Sequence, residues 1–75
     1  MQIKLIWDFR GPDAYKIAQH HAIHLNEFIL KEKLEHIKVG EEAIDNHYHI
    51  AFMIVEQKDM ITMRDALRPH RGEYV

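Results

Sequence analysis

Residues 2 to 10 alternate. Ile3, Leu5, Trp7 and Phe9 fall on one side, and Gln2, Lys4, Ile6, Asp8 and Arg10 on the other, which predicts a strand with one buried face. Gly11-Pro12-Asp13 breaks that strand and opens a helix, because proline suits the first helical turn and aspartate suits the positive end of the macrodipole. The helix is expected over 12–33. At about 100° per residue, Ala14, Ala18, Ala22, Leu25 and Ile29 make one stripe flanked by Ile17 and Phe28. Ile23 and Leu30 fall on the opposite side, as exposed apolar residues or as part of an oligomer contact.

Residues 35 to 44 alternate more weakly, with Glu35, Ile37, Val39, Glu41 and Ala43 on one face. Asp45-Asn46 reads as a two-residue turn. Residues 47 to 56 alternate strongly, Tyr48, Ile50, Phe52 and Ile54 against His47, His49, Ala51, Met53 and Val55. That turn pairs Ile44 with His47, Glu42 with His49 and Gly40 with Ala51. Ile37, Val39, Ile50 and Phe52 then share the inner face, and Ala51, Met53 and Val55 lie outside. Asp59 is a suitable N-cap for a second helix over 60–68, with Met60, Met63, Ala66 and Leu67 inward and Pro69 as the stop. Residues 72 to 75 offer a short last strand, and a βαββα chain without it is the alternative.

The order β-α-β-β-α-β resembles the ferredoxin-like sandwich, an α+β fold whose antiparallel sheet carries two helices on one face. It also resembles the small dimeric α+β-barrel proteins, which pack two such sheets through their open faces. The resemblance covers the whole chain, 1–75, as a pattern of elements. No family motif is matched, so no functional residue carries over.

With 75 residues the chain is expected to be one domain with a modest core, which a partner subunit would help. Hydrophobic residues make up 47% and charged residues 29%, a balance that suits a soluble globular chain. The absence of cysteine excludes disulfides and thiolate metal sites. A net charge of −2 leaves no nucleic-acid footprint, and no segment is apolar enough to span a membrane. MQIKLIWDFR has charges within its apolar run and does not read as a signal peptide, so a cytoplasmic protein is expected. Protonating all seven histidines would reverse the sign of the net charge.

Under the ferredoxin-like order, the end of the first strand meets the start of the third. Asp8, Arg10, His47 and His49 then converge at one end of the open face, with Glu42 opposite His49 and His70 and Arg71 arriving from the second helix. This set is the candidate ligand-binding rim. One of the two strand histidines would serve as a base and Arg10 would grip a carboxylate or phosphate. Cross-strand ion pairing is the simpler role for the same residues. An exposed Ala51, Met53 and Val55 would need a covering subunit, which points to a homodimer.

HHAIH over residues 20–24 places His20 and His24 on one helix face, a spacing that can hold zinc or another divalent metal, although a solvated or interfacial face with no cofactor is the preferred reading. Position 21 is His, so the zinc-protease motif is not present. His21 lies near the apolar stripe and is expected to have its ring N–H satisfied. There is no serine to act as nucleophile and no glycine-rich phosphate loop.

These readings leave three functions open. The first is a module binding a small molecule or anion. The second is a cofactor-free enzyme of the dimeric barrel kind using a cavity histidine. The third is a protein-interaction or regulatory subunit that meets its partner through the open sheet face or the Ile23/Leu30 helix face.

Overall fold

A computed structural model describes all 75 residues. The chain runs β1 (Gln2–Arg10), α1 (Ala14–Lys31), β2 (Lys38–Asp45), β3 (Tyr48–Glu56), a 3-10 turn (Gln57–Asp59), α2 (Met60–Leu67) and β4 (Arg71–Tyr74). Its four strands form one antiparallel sheet in the order β2-β3-β1-β4. This α+β arrangement of four strands and two helices is compatible with a ferredoxin-like fold. No helix is long and apolar enough to cross a membrane.

β1 is the central organiser, paired with β3 along its whole length and with β4 over Ile3 to Ile6. Its inner set behaves as the alternation predicts. Ile3, Leu5 and Trp7 join Ala51, Met53 and Val55 of β3, Leu25 of α1 and Met63 of α2 in one buried cluster. Both helices therefore cover the same face. Ala14, Ala18 and Ala22 are buried along the inner line of α1, and their small side chains let the helix lie close to the strands. Trp7 fills the gap towards α2 and donates its indole N–H to the Leu67 carbonyl at 3.1 Å, which satisfies a buried donor.

The connections are set by backbone chemistry. Gly11 has φ of 116°, a region closed to most side chains, and its N–H donates to the His47 carbonyl at 2.8 Å. This bond joins the exit of β1 to the β2–β3 turn. α1 starts at Ala14 and stops at Lys31, two residues inside the expected bounds at each end. Lys33 turns left-handed, Leu34 N–H donates to the Ile29 carbonyl and Lys33 N–H to the Leu30 carbonyl. That pair of bonds is the Schellman closure, here made without glycine.

The register of β2 on β3 differs from the sequence expectation by one residue. Ala43 pairs with His49, Glu41 with Ala51 and Gly40 with Phe52, and the ladder is irregular between Ala43 and Asp45. The turn is Asn46-His47, because the Asp45 carboxylate accepts the His47 N–H at 2.8 Å and folds the chain one residue later. The irregularity beside Ile44 absorbs the extra residue.

A one-residue slip exchanges the two faces of a strand. His49, Ala51, Met53 and Val55 face the helices, and Tyr48, Ile50, Phe52 and Ile54 face the open side. Ala51, Met53 and Val55 have no exposure at all, so the chain's own helices cover the residues that seemed to need a second subunit. β4 spans Arg71–Tyr74, one residue earlier than expected, and pairs with β1.

Candidate functional site

Side-chain ion pairs lace the open sheet face over an apolar floor. The Arg71 guanidinium meets Asp8 bidentately, Nε to Oδ2 at 3.0 Å and Nη2 to Oδ1 at 3.1 Å. Tyr48 donates its hydroxyl to Asp8 Oδ1, and Arg71 also reaches Glu73 at 2.6 Å. The hydrogen bonds from Arg71 hold the Asp8 carboxyl below the usual range; burial opposes them and the Tyr48 hydroxyl adds to them. The Arg71 guanidinium is in turn held more firmly protonated by Asp8.

Arg10 lies over the Tyr48 ring at 3.9 Å and Lys4 over the Phe52 ring at 4.5 Å, with Lys4 also 3.6 Å from Glu42. These long side chains and rings roof the face, and Ile6 and Ile50 beneath them are only 1% and 3% exposed. A polar rim here is already paired within the chain.

The residues singled out from sequence separate into four places, the last of them that of His70. Asp8, Arg10, Glu42 and Arg71 share the open face. His47 sits in the exposed β2–β3 turn. His49 lies on the opposite side of the sheet, buried beneath α1, its ring 5.3 Å from that of Tyr15. The one-residue shift put it there. Its Nδ1 is 3.7 Å from Glu41, beyond hydrogen-bond distance, and has no partner. His49 therefore meets Glu41, where Glu42 was expected.

His70 stands at the edge of the sheet between α2 and β4. Its Nδ1 accepts the Asp8 backbone N–H at 2.8 Å, and its own N–H donates to the Ile6 carbonyl at 2.9 Å. Acceptance at Nδ1 places the proton of the neutral ring on Nε2 and leaves a donor there. The residue thus prolongs the β1–β4 ladder beyond Arg71.

Next to it lies the main cleft of the molecule, about 350 Å³, between α2 and β4. Ile3, Leu5 and Met60 form its apolar floor, and Arg64 and His70 stand at its rim. Gly72 opens it. A Cβ at that position would point to the helix side, 3.6 Å from Ile3 and 3.7 Å from Leu5. Any larger side chain would occupy the space. Arg64, an exposed residue of α2, has only its chain neighbour Asp65 as an ionic partner, 3.4 Å away. Arg71 and Glu73 also border the cleft, although both are committed to the ion pairs of the open face.

Sequence reasoning named His70 and Arg71 but missed Gly72, Met60 and Arg64. A glycine inside a short edge strand was the available signal.

On α1, the His21 ring rests against Trp7 and Phe9, with centroids 4.9 and 5.5 Å away. Its Nε2 is enclosed and unpartnered, contrary to the satisfied N–H expected. Burial pushes its pKa down, and protonation of the neighbouring His24, His70 or His20 would push the same way. His20 and His24 remain outside on the exposed face. No three His, Cys, Asp or Glu side chains come together as a closed metal site.

No protein-family model matches the chain, and neither a curated protein nor a solved structure does.

Proposed function

We propose that this chain is a ligand-binding module on a ferredoxin-like βαββαβ scaffold, and that it takes a small amphiphilic anion in the α2–β4 cleft. One observation carries the reading: an apolar floor of Ile3, Leu5 and Met60, left open by Gly72, is rimmed by Arg64 and the Nε2–H side of His70. Apolar walls with a few convergent polar groups are the common form of a small-molecule site, and about 350 Å³ accommodates a short acyl or aryl body. A carboxylate at the rim would meet one fixed positive charge and one neutral donor. Arg71 contributes charge nearby, while its own donors stay with Asp8 and Glu73. The binding site of this reading is therefore on the helix side of the β4 edge, and the paired rim of the open face serves stability.

The test is a titration of the protein with octanoate, followed by amide chemical shifts, with octanol as the uncharged control. Octanoate should move Leu5, Met60 and Gly72 and bind at least tenfold more tightly than octanol. G72V, which suits a strand and fills the gap, should stay folded and lose the binding. R64A should weaken it at least tenfold. Equal binding of octanoate to G72V and the parent protein would overturn the proposal.

A further inference from the structure

The outward side of α1 holds an arrangement that the cleft does not use. Nε2 of His24 lies 2.9 Å from Nε2 of His20, one turn away, and Nδ1 of His24 lies 2.8 Å from Oε1 of Glu27. An ionised carboxylate only accepts, so the His24 proton sits on Nδ1. A bare lone pair on His24 Nε2 is left aimed at His20. His20 meets it with its own Nε2–H, since two lone pairs at that separation would repel. The carboxylate, the imidazole and a second imidazole thus stand in line along an exposed helix face, with His24 and Glu27 more than half exposed.

We infer that His20 and His24 chelate a divalent transition metal ion, with Cu2+ or Ni2+ preferred to Zn2+. The ion displaces the hydrogen bond between the two Nε2 atoms and binds to one side of the line that joins them, and the His20 proton passes to its Nδ1. Two nitrogens about 2.0 Å from a metal and about 90° apart stand about 2.8 Å from each other, whereas a tetrahedral angle sets them about 3.3 Å apart. The spacing of 2.9 Å fits adjacent corners of a tetragonal Cu2+ or Ni2+ site. Glu27 supplies the outer carboxylate that fixes the His24 ring and raises its basicity. Water fills the remaining positions, because no third ligating side chain converges here. His21 takes no part, since its ring is packed against Trp7 and Phe9.

The experiment is calorimetric titration of the intact protein with the chlorides of Cu2+, Ni2+ and Zn2+ in turn, at pH 7.5. The expected result is one Cu2+ per chain with a micromolar Kd, and weaker Zn2+ binding. H20N and H24N should each weaken Cu2+ by at least tenfold. E27Q should weaken it by about tenfold, as loss of an outer-shell carboxylate does. H36N, which alters an exposed histidine remote from the pair in sequence, should bind as the parent does. Circular dichroism checks that each variant keeps its fold, which three exposed positions on a helix surface should permit. A Cu2+ affinity within twofold of the parent in either H20N or H24N would overturn the inference, as would an equal loss in H36N.

Discussion

The ring of Phe52 lies directly over Gly40. A Cβ on that glycine would stand 2.7 Å from the ring's Cζ. The two residues are paired across β2 and β3, and Lys4 Nζ lies over the ring, 4.5 Å from its centre. Glycine in a strand interior is ordinarily a weakness, and here an aromatic neighbour fills the space it leaves. G40A should push the ring off its seat and disturb its contact with Lys4. The expected loss is about 1 to 2 kcal/mol, since overpacking meets a side chain that can shift at its free end. Urea unfolding measures it. The G40A/F52A double variant should lose less than the sum of the two single changes, and strict additivity would show that the ring is not the obstacle.

Asp8 and Arg71 tie β4 to the sheet, and this gives a direction for acid sensitivity. The Asp8 carboxyl is held below its ordinary value of 3.8 in the folded chain. Its contribution is complete above that value and is lost as pH falls towards the depressed folded pKa, because the unfolded chain binds the proton first. The urea midpoint of the parent should therefore fall below about pH 4 more steeply than that of D8N. Parallel profiles for the two proteins would remove Asp8 from the acid transition.

His21 adds a second loss on the acid side, at higher pH than Asp8. Its folded pKa lies below the ordinary 6.5, so the native ring stays neutral where the unfolded ring is already charged. Stability from this group is complete above pH 6.5 and declines as pH falls towards the folded pKa. H21L removes the titration together with the enclosed, unpartnered Nε2. The variant should be about 1 kcal/mol more stable at pH 7.5, by relief of an unsatisfied buried polar atom. Its advantage should grow between pH 6.5 and pH 5. A constant difference across that interval would rule out the His21 assignment.

Lys33 occupies a left-handed conformation, φ 54°, at the end of α1. The hydrogen bonds of the closure use backbone atoms alone and survive any side chain. K33G should therefore raise stability by about 0.5 to 1 kcal/mol, the steric cost of a Cβ in that region less the added freedom of the unfolded chain. Thermal unfolding measures the change, and K33A, which keeps the Cβ, should show none of the gain.

Some of this fold can be read in particular residues before any contact is known. The alternation of Ile3, Leu5, Trp7 and Phe9 identifies the inner side of β1, because only one parity there is consistently apolar. The line of Ala14, Ala18, Ala22 and Leu25 identifies the inner side of α1 in the same way, and Ile23 and Leu30 are exposed as their angle requires. β3 is different. Tyr48, Ile50, Phe52 and Ile54 make one apolar parity, and Ala51, Met53 and Val55 make another. Alternation cannot choose between two apolar faces, so the turn chose. The Asp45 carboxylate moved the turn by one residue and sent His49 to the side away from Asp8.

The candidate rim was legible for Asp8 and Arg10 of β1, for Glu42 of β2 and for Arg71, and not for the histidines. Asp8, Arg10 and Arg71 do gather on the open face, but Tyr48 completes the group in place of a histidine. The cleft was not legible, because it arises from a side chain that Gly72 lacks at the one register where Ile3 and Leu5 lie beneath it.

The sequence by itself determined the order of elements as far as the second helix, the inner faces of β1 and α1, and the one-turn spacing of His20 and His24. These follow from the period of the chain within a single strand or helix. Tertiary structure decided which face β3 turns to the helices, which carboxylate meets which base, and where the cleft opens. Those depend on register between elements, and register is fixed by one hydrogen bond at Asp45 and by the packing of both faces together, which no single segment encodes.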